Sequence, residues 1–577
     1  MTYLFNDPAK FADELREGFA AAHRDKLCPV DGGVIRLHKA KPGQVVVVIG
    51  GGSGHYPAFG GFVGQGLAHG AAMGNVFASP SAQQICQVAQ AVDAGGGVLF
   101  CYGNYAGDVL NFDLAQQRLR ALGMDVRSVV VTDDIASAPS EEKHKRRGIA
   151  GTLPVFKAAA VAADDGKTLD EVFRVATLAN AQVRTLGVAF SGCTLPGAAQ
   201  PLFGVATGKM EVGMGIHGEP GLYRMDAPTA DGLAEMLVEK LLAEMPPGIG
   251  NWQGARVGVI LNGLGAVKYE ELFVVYRKIE QFLIGHGLIV VAPVVDELIT
   301  SFDMAGVSLT LFWMDVELEQ TWLAAADTPA FHRGHIAQFP AERAVVVQRE
   351  HRNRLKAGSE SSRVAAAVVL SALEAARAAI EQQQEELGRL DAIAGDGDHG
   401  IGMLRGLTAA VEAGQEAINA AAGAGTVLAA AGDAWSDRAG GTSGVLWGII
   451  LRDLGNALSD EAEPSVLMLA AGVADALRSV MHSGKAQLGD KTLVDALHPF
   501  SSALTAGASR HLPLADAWEA AADVAGDAAQ ATEKLLPKIG RARPHAEKSI
   551  GTPDPGAISL ALIIRAAGSV LKGCRAK

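Results

Sequence analysis

The stretch from Asp391 to Gly400 reads DAIAGDGDHG and places three carboxylates, Asp391, Asp396 and Asp398, among three glycines. On a helix, Asp396 and Asp398 would point about 200° apart, so convergence on one ion requires a loop, which the glycines allow. A hard cation such as Mg²⁺ prefers carboxylate oxygens and leaves positions for nucleotide phosphates. A calcium EF-hand is excluded because Leu407, not a glutamate, stands twelfth from Asp396. On its own the stretch predicts either a metal loop or an acidic, glycine-rich surface loop.

Length and charge limit the function classes. The chain has 577 residues, which suggests about three or four domain-sized units. A net charge of −13, from 63 acidic and 50 basic residues, argues against a nucleic-acid partner. Five cysteines without a CxxC pair predict neither a disulfide framework nor a zinc site, and they favour a reducing, cytoplasmic location. No run of 18 apolar residues occurs, so we expect no membrane partner.

Strand-like runs followed by glycine-rich loops dominate the first half. Residues 45–49 (VVVVI) lead into GGGSGH at 50–55, and Pro57 stands where a helix could begin. The pattern returns at 98–100, 128–131 and 187–190. Such alternation predicts a largely parallel sheet with ligands beyond the carboxyl ends of its strands.

A change of composition marks the predicted domains. Residues 1–335 are predicted to form one α/β domain with subdomains at about 1–245 and 246–335, divided near Pro246. Residues 336–362 are polar and charged, as in a linker. Residues 363–577 are rich in alanine with apolar residues at helical spacing, which predicts an all-α domain whose first helix leads to the acidic loop.

Four candidate residues in three motifs of the first domain each have a structural alternative. Ser53 and His55 can hydrogen-bond a small ligand, or the GGGSGH loop is a simple turn without the GxGxxG spacing. Asp108, in YGNYAGD, can accept a proton from a hydroxyl or can cap a helix. His217, in GMGIHGEPG, can be a nucleophile, a metal ligand, a general base or a structural histidine.

Three loops of the second half resemble helix starts: GGTSG at 440–444, GDKTLVDAL at 489–497 and TPDPGA at 552–557. Small residues at a helix start offer backbone N–H groups and hydroxyls to phosphate. One such loop would be ordinary capping. Three of them beside the acidic stretch predict a nucleotide site with its metal at one end.

The ordered set GGGSGH, GNYAGD, GIHGEPG, DAIAGDGDHG, GGTSG, GDKTLVDAL and DPGA resembles the single-chain dihydroxyacetone kinases, and it covers nearly the whole chain. In that family a K-type domain that binds the ketose is fused to an L-type domain that binds ATP. The resemblance implies an eight-helix barrel for the L-type domain and a homodimer. In that dimer the L-type domain of one chain can serve the K-type domain of the other.

The resemblance also implies a role for each motif residue. His217 would bond through Nε2 to the substrate carbonyl, with His55 and Asp108 on the substrate and Asp108 as base. Gly52, Ser53 and Tyr56 would line the ketose pocket. Mg²⁺ would be held by Asp391, Asp396 and Asp398. The residues implied for ATP are His399, Thr442, Ser443, Gly489, Asp490, Arg541, Asp554 and Gly556.

Two departures from the family pattern bear on substrate and nucleotide. Tyr56 stands where many members carry an acidic residue, and relatives with GHYPAF resemble kinases of four-carbon ketoses such as erythrulose. The stretch from Gly540 to Ser549 reads GRARPHAEKS instead of GRASYLGERS. The sequence therefore predicts an ATP-dependent kinase for the terminal hydroxyl of dihydroxyacetone or erythrulose. Cyclisation of a flavin dinucleotide and sugar sensing without turnover are the alternatives.

Overall fold

In the computed structural model the chain divides into two units, Met1–Gln348 and Arg349–Lys577. The structure describes residues 4–249, 252–334, 357–395, 397–461, 463–540 and 547–575. Most of the predicted linker, 336–362, lies outside these ranges.

The first unit contains a six-stranded sheet with strand order β1-β2-β4-β3-β5-β6. Its strands are β1 (Leu27–Val30), β2 (Gly33–Arg36), β3 (Val46–Ser53), β4 (Gly70–Val76), β5 (Val98–Gly103) and β6 (Val126–Val131). Strands β3 to β6 run parallel, and β1 and β2 extend the sheet antiparallel beside β4. Every residue of β3 is buried, which explains the unbroken apolar run in its sequence.

A seven-stranded sheet follows, and it is mainly antiparallel. Its strands are β7 (Val183–Ala189), β8 (Lys209–Val212), β9 (Tyr223–Asp226), β10 (Arg256–Gly263), β11 (Ile289–Val290), β12 (Val294–Asp296) and β13 (Gly306–Met314). Strand β13 pairs with β10 on one side and with β7 on the other. A separate two-stranded ribbon consists of β14 (Ala326–Asp327) and β15 (His332–Arg333). The expectation of a largely parallel sheet is confirmed for the first sheet and wrong for the second, because β7 returns directly through the antiparallel strand β8.

Eight helices surround these sheets in the described part of the first unit. They are α1 (Phe11–Ala22), α2 (Ala82–Val92), α3 (Ala106–Ala121), α4 (Thr152–Asp164), α5 (Leu169–Ala181), α6 (Ala230–Ala243), α7 (Tyr269–Gly285) and α8 (Val316–Leu323). Helix α4 lies between the sheets, since its Phe156 shares one core with Val47 of the first sheet and Phe312 of the second. Helices α2 and α3 cover the outer face of the first sheet, and α6 and α7 that of the second.

Two predicted local features differ in the structure. No helix begins at Pro57, because β3 continues through its glycines and pairs with β4 as far as Ser53. The strands also divide between the sheets after β6, so the punctuation at Pro246 does not separate the sheets. Strand β7 belongs to the second sheet because it pairs with β13 from Val183 to Ala189.

The described part of the second unit contains nine helices and no strand. They are α9 (Glu360–Gln382), α10 (Gln384–Asp391), α11 (His399–Asn419), α12 (Ala424–Ala439), α13 (Gly441–Leu458), α14 (Val466–Gly484), α15 (Val494–Ser509), α16 (Leu514–Ala531) and α17 (Pro555–Arg575). The long helices pack in sequence from α11 to α17, and α9 packs against both α11 and α17, so the ring of eight closes. The all-α prediction is confirmed. The acidic loop follows α10 rather than the first helix, because the first helix ends at Gln382 and Gln383 separates it from α10.

Among the described residues, two helices, α14 and α17, have the length and composition of a membrane span. Both contribute side chains to the core of the helical unit, among them Val473 and Ile564. Core packing favours the same apolar composition.

Candidate active site

Two histidines from distant parts of the first unit face each other. The Nε2 atom of His55 lies 3.0 Å from the Nε2 atom of His217, and the rings meet edge to face with centroids 4.7 Å apart. His55 follows β3, whereas His217 lies in the loop between β8 and β9. Each sheet therefore supplies one imidazole.

His55 is held in one tautomer. Its Nδ1 atom lies 2.8 Å from the carbonyl oxygen of Thr300. A carbonyl only accepts hydrogen bonds, so Nδ1 donates, and Nε2 of the neutral ring presents a lone pair to His217. Burial, together with the charge of His217, lowers the pKa of His55 to about 3. His55 is therefore neutral at pH 7, stacked on the ring of Phe77 at 4.8 Å.

His217 is held by the carboxylate of Glu219. Its Nδ1 atom lies 3.2 Å from Glu219 Oε1, and its backbone N–H donates to Oε2 at 3.0 Å. A guanidinium nitrogen of Arg147 lies 3.6 Å from the same Oε2, and Arg147 Nε donates to Asp134 at 3.3 Å. Burial alone would raise the pKa of Glu219, but Arg147 and His217 hold it well below its usual value. Glu219 is therefore an anion beside His217.

The glycine-rich end of β3 lies beside the histidine pair. A Cβ on Gly52 would lie 2.8 Å from the backbone nitrogen of Ala78, so no larger residue fits without a backbone shift. The buried hydroxyl of Ser53 donates to the carbonyl of Gly74 at 2.6 Å. That donation uses the only proton of the hydroxyl, so Ser53 can meet a ligand through its oxygen lone pairs or its backbone.

Tyr56 lies on the wall of a cavity of about 570 Å³, together with the glycines of β3 and Glu297. The side chain of Tyr56 is 47% exposed and meets Phe19 edge-on at 5.8 Å. The hydroxyl of Thr300 donates to the carbonyl of Tyr56 at 2.8 Å. Thr300 thus fixes both His55 and the backbone of Tyr56.

Asp108 is buried in the first turn of α3, just beyond the carboxyl end of β5. A carboxylate at this position is stabilised by the positive end of the helix dipole. Tyr105, at the N-cap of the same helix, places its ring edge-on to His217 at 4.6 Å. The start of α3 therefore lies beside His217, at the sheet edge where ligand groups were expected.

Five residues that shape this site were not singled out from the sequence. They are Phe77, Tyr105, Arg147, Glu219 and Thr300. Tyr105 and Glu219 lie inside the motifs GNYAGD and GIHGEPG, which was a usable signal. The other three reach the site only through the tertiary fold.

In the second unit, the acidic stretch connects α10 to α11. Asp391 ends α10, and its Oδ2 atom accepts a hydrogen bond from the N–H of Gly397 at 2.8 Å. Asp398 is the N-cap of α11. His399, the first residue of α11, places Nε2 2.9 Å from the hydroxyl oxygen of Ser559 in α17.

The three predicted helix starts are confirmed, as α13, α15 and α17. They lie at the same end of the helical unit as the acidic stretch. The contact of His399 with Ser559 joins α11 to α17, and a Cβ on Gly556 would lie 3.7 Å from Leu493, just before α15. A Cβ on Gly402 would lie 3.9 Å from the carbonyl of Ala439, just before α13.

The loops before α13 and α15 differ in how they are fixed. Thr442 is exposed and Ser443 is half-buried in the first turn of α13, and a Cβ on Gly441 would meet no atom within 4 Å. That open backbone leaves room for a ligand. The loop before α15 is closed by hydrogen bonds, since Asp490 accepts from the N–H of Gln487 at 2.8 Å. Its Gly489 donates to Asp495, and the φ of Gly489 is +91°, a conformation that favours glycine.

Carboxylates crowd together at this end of the helical unit. Burial and the neighbouring carboxylates of Asp495 and Asp391 raise the pKa of Asp554 to about 7. Asp554 also accepts from the N–H of Ala557 at 2.8 Å, which caps α17. A divalent cation would offset the repulsion between these carboxylates, whose oxygens are donors of the kind that Mg²⁺ prefers.

The predicted metal and nucleotide set stays a prediction. Among the described residues, no group of three His, Cys, Asp or Glu side chains forms a metal site by itself. Two of the predicted residues lie outside the described ranges: Asp396 and Arg541.

Comparisons with known proteins cover both units. Residues 17–330 match the Dak1 domain, and residues 393–569 match the DAK2 domain. The chain is 58% identical over 573 residues to the L-erythrulose kinase of Pectobacterium atrosepticum, covering 99% of this chain and 97% of that protein. It is 51% identical over 577 residues to the D-erythrulose kinase of Mycolicibacterium smegmatis, covering 98% of each. The crystal structure of the dihydroxyacetone kinase from C. freundii in complex with AMP-PNP and Mg²⁺ is similar with a TM-score of 0.53 at 30% identity, covering 98% of this chain and 99% of that one.

A Dak1 domain with a facing histidine pair, followed by a DAK2 domain with an acidic loop, defines a kinase of small ketoses. The chain belongs to the single-chain dihydroxyacetone kinase family.

Proposed function

We propose that the chain is an ATP-dependent kinase that phosphorylates the terminal hydroxyl of erythrulose or dihydroxyacetone while His217 holds the ketose covalently. The facing histidine pair carries the proposal, because other groups hold the two Nδ1 atoms and the two Nε2 atoms meet as the nitrogens that act on a carbonyl. Erythrulose is favoured by Tyr56 and by the names of the relatives at 58% and 51% identity. Those relatives are named for opposite hands of erythrulose, so both hands are candidate substrates.

In the first unit, His217 adds to the carbonyl carbon and anchors a substrate too small to be held by many contacts. His55 donates a proton to the same oxygen as the carbonyl becomes a hydroxyl. Asp108 accepts the proton of the hydroxyl that attacks phosphorus. The backbone at Gly52 and Ser53 encloses the remaining carbons. Glycerol has no carbonyl, so this mode of binding excludes it.

In the second unit, the N-terminal ends of α13, α15 and α17 bind the nucleotide. Bound Mg²⁺ supplies charge neutralisation for the ATP phosphates. The carboxylates of Asp391, Asp396 and Asp398 hold it, and free N–H groups at the helix starts hold the phosphates. The nucleotide contacts comprise His399, Thr442, Ser443, Gly489, Asp490, Arg541, Asp554 and Gly556.

The enzyme is further proposed to act in the cytoplasm as a homodimer in which domains of the two chains face each other. The family resemblance supports the dimer. The five cysteines, none of them in a CxxC motif, support a reducing compartment. Light scattering of the purified full chain tests the dimer: a mass near one chain at micromolar concentration contradicts it.

The activity is tested by coupling ADP release to a spectroscopic signal, with dihydroxyacetone, D-erythrulose, L-erythrulose, glyceraldehyde and glycerol as acceptors. We expect turnover with the ketoses, the highest kcat/KM with one hand of erythrulose, and none with glycerol. Absence of turnover with every ketose contradicts the proposal and favours sugar sensing. Turnover of a flavin dinucleotide in place of ketoses favours the cyclase alternative.

A further inference from the structure

The protons of the histidine pair can be counted from its hydrogen bonds. The carbonyl of Thr300 requires a proton on Nδ1 of His55, and the carboxylate of Glu219 requires a proton on Nδ1 of His217. If both rings were neutral, two lone pairs would face each other at 3.0 Å. A contact of that length needs a proton between the nitrogens, so the pair holds three protons and one positive charge.

The position of that charge follows from the surroundings of each ring. His55 is buried against Phe77, and the cost of burying a cation keeps it neutral. His217 has the carboxylate of Glu219 against its Nδ1 atom. The charge therefore belongs to His217, with Glu219 as counter-ion.

We propose that Glu219, held by Arg147, is a positioning residue for the nucleophile. It keeps the ring proton of His217 on Nδ1, so that Nε2 is the nitrogen that attacks the carbonyl. It also balances the positive charge that stays on the ring after the bond has formed. This inference rests on the proposed covalent role of His217.

The covalent step balances without an outside acid or base. The shared proton moves onto Nε2 of His55, and the lone pair on Nε2 of His217 forms a bond to the carbonyl carbon. The π electron pair of the carbonyl moves to its oxygen, which takes the proton from His55. The product has a hydroxyl group, a neutral His55, and a His217 ring that is protonated at Nδ1, substituted at Nε2 and singly charged beside Glu219.

Other groups around His217 are consistent with this assignment. The ring of Tyr105 faces His217 from the start of α3, and burial raises the pKa of Tyr105 well above its usual value, so its phenol stays neutral. Arg147 contacts Glu219 on the side away from the imidazole and is itself paired with Asp134. Arg147 thus fixes the second carboxylate oxygen while the first faces Nδ1.

The substitution Glu219→Gln separates positioning from packing, because the geometry dictates how an amide would sit. Its oxygen must take the place of Oε2, since the N–H of His217 and the guanidinium of Arg147 point there. The NH₂ group then faces Nδ1 of His217 and donates to it. The proton of His217 moves to Nε2, where it donates to His55, and the nucleophilic lone pair is lost.

The readout is the ring-nitrogen spectrum of full-length protein labelled with ¹⁵N-histidine. We expect His217 to be cationic in the wild type and neutral with its proton on Nε2 in Glu219→Gln. With dihydroxyacetone labelled with ¹³C at C2, we expect a hemiaminal carbon signal in the wild type that the variant lacks. The kcat/KM for ketose should fall on the order of 10²- to 10⁴-fold, as for other lost orienting carboxylates, with KM for MgATP unchanged.

Matched variants control for charge and folding. Glu211→Gln removes a carboxylate that accepts from Arg224 at 2.9 Å on the same sheet, and it should leave the His217 tautomer and the hemiaminal unchanged. Glu219→Asp keeps the charge and should restore part of the hemiaminal signal. If Glu219→Gln does not fold, Arg147→Met tests the same contacts, which run from Arg147 through Glu219 to His217. This variant should raise KM for ketose at least tenfold without changing KM for MgATP.

Wild-type ring signals and an intact hemiaminal in Glu219→Gln would overturn the inference. A change in the His217 tautomer supports it even in protein without ketose. If the wild type forms no hemiaminal, the proposed covalent binding fails, while the ring-nitrogen spectrum still decides the role of Glu219.

Discussion

The Nε2 atoms of His55 and His217 lie 3.0 Å apart although 162 positions separate the two residues. Each ring is fixed through its other nitrogen by a group from elsewhere in the fold, Thr300 for His55 and Glu219 for His217. Under the proposed role of the pair, ketose capture depends on the relative position of the two sheets of the first unit, and a shift of one sheet should impair binding before it impairs folding.

Replacing His217 with alanine is expected to raise KM for ketoses and to remove the discrimination against glycerol, because the covalent anchor is lost. The expected loss of kcat/KM for dihydroxyacetone is on the order of 10²-fold or more. His286→Ala is the control, since His286 is the C-cap of α7 and places Nδ1 2.8 Å from the carbonyl of Phe282. Steady-state assays that give an unchanged ketose KM for His217→Ala would contradict the covalent role.

Removing Mg²⁺ with EDTA, or replacing Asp391 with asparagine, is expected to stop phosphoryl transfer and leave ketose capture intact. The reason is that the acidic loop and the histidine pair lie in different units. Activity should fall more than about 10²-fold, while the ¹³C signal of the bound ketose persists. Asp433→Asn, which removes a surface partner of Arg452, should keep normal activity. Loss of the bound-ketose signal in Asp391→Asn would show that the two functions are not separable.

Replacing Tyr56 with glutamate is expected to shift preference from erythrulose toward dihydroxyacetone. Tyr56 lines the cavity beside the glycines of β3, and a change of wall there alters the space for one additional carbon. The ratio of kcat/KM values should change about tenfold or more, the usual size for one methylene in a pocket. Tyr56→Phe keeps the contact with Phe19 and should preserve the ratio within about threefold. Equal ratios in wild type and Tyr56→Glu would exclude Tyr56 as a determinant.

His69 is expected to make the first unit less stable as the pH falls. Its Nδ1 atom accepts the N–H of Val47 at 3.1 Å, and burial and the charge of Arg36 lower its pKa from 6.5 to about 4. Between these values the unfolded chain binds more protons than the folded chain, so stability falls as pH drops from about 6.5 toward 4, by up to about 1.4 kcal/mol per pH unit.

The measurement is hydrogen exchange of the β3 amides at several pH values, corrected for intrinsic exchange. His69→Gln should show a shallower dependence than the wild type. Asp133, whose pKa burial raises to about 6, contributes to the pH dependence with the opposite sign. Its contribution is present in both proteins, so it cancels when their slopes are compared. Identical slopes in the two proteins would contradict the assignment.

The sequence predicted those strands and helices whose formation depends on residues close together in the chain. The valine run of β3, the glycine-rich helix starts and the change to alanine-rich helices all became the expected structures. A second subdomain was predicted, but the place of β7 in its sheet was not, because β7 pairs with β13 more than a hundred residues later and the sequence near β7 carries no sign of that pairing. Short runs of apolar residues do not reveal strand direction.

In the candidate site, too, only the residues with a local sequence signal were predicted. Motif residues such as His217 carried their own chemical signal, whereas the groups that fix their protons did not. Thr300 contributes a backbone carbonyl, which any residue type could supply, and Arg147 acts through Glu219. Such contributions become visible only when the folded chain brings the atoms together.

The central place of β13 in the second sheet has a consequence for the order in which the protein is assembled during synthesis. The first sheet has all of its strands once Val131 has left the ribosome, but the second sheet cannot pair β7 with β10 through β13 until Met314 has emerged. The strand that leads to His55 can therefore join its sheet before Thr300, which fixes the His55 ring, has been made and before the loop of His217 has its support. Under the proposed role of His217, a nascent chain that stops before β13 is not yet able to capture the substrate.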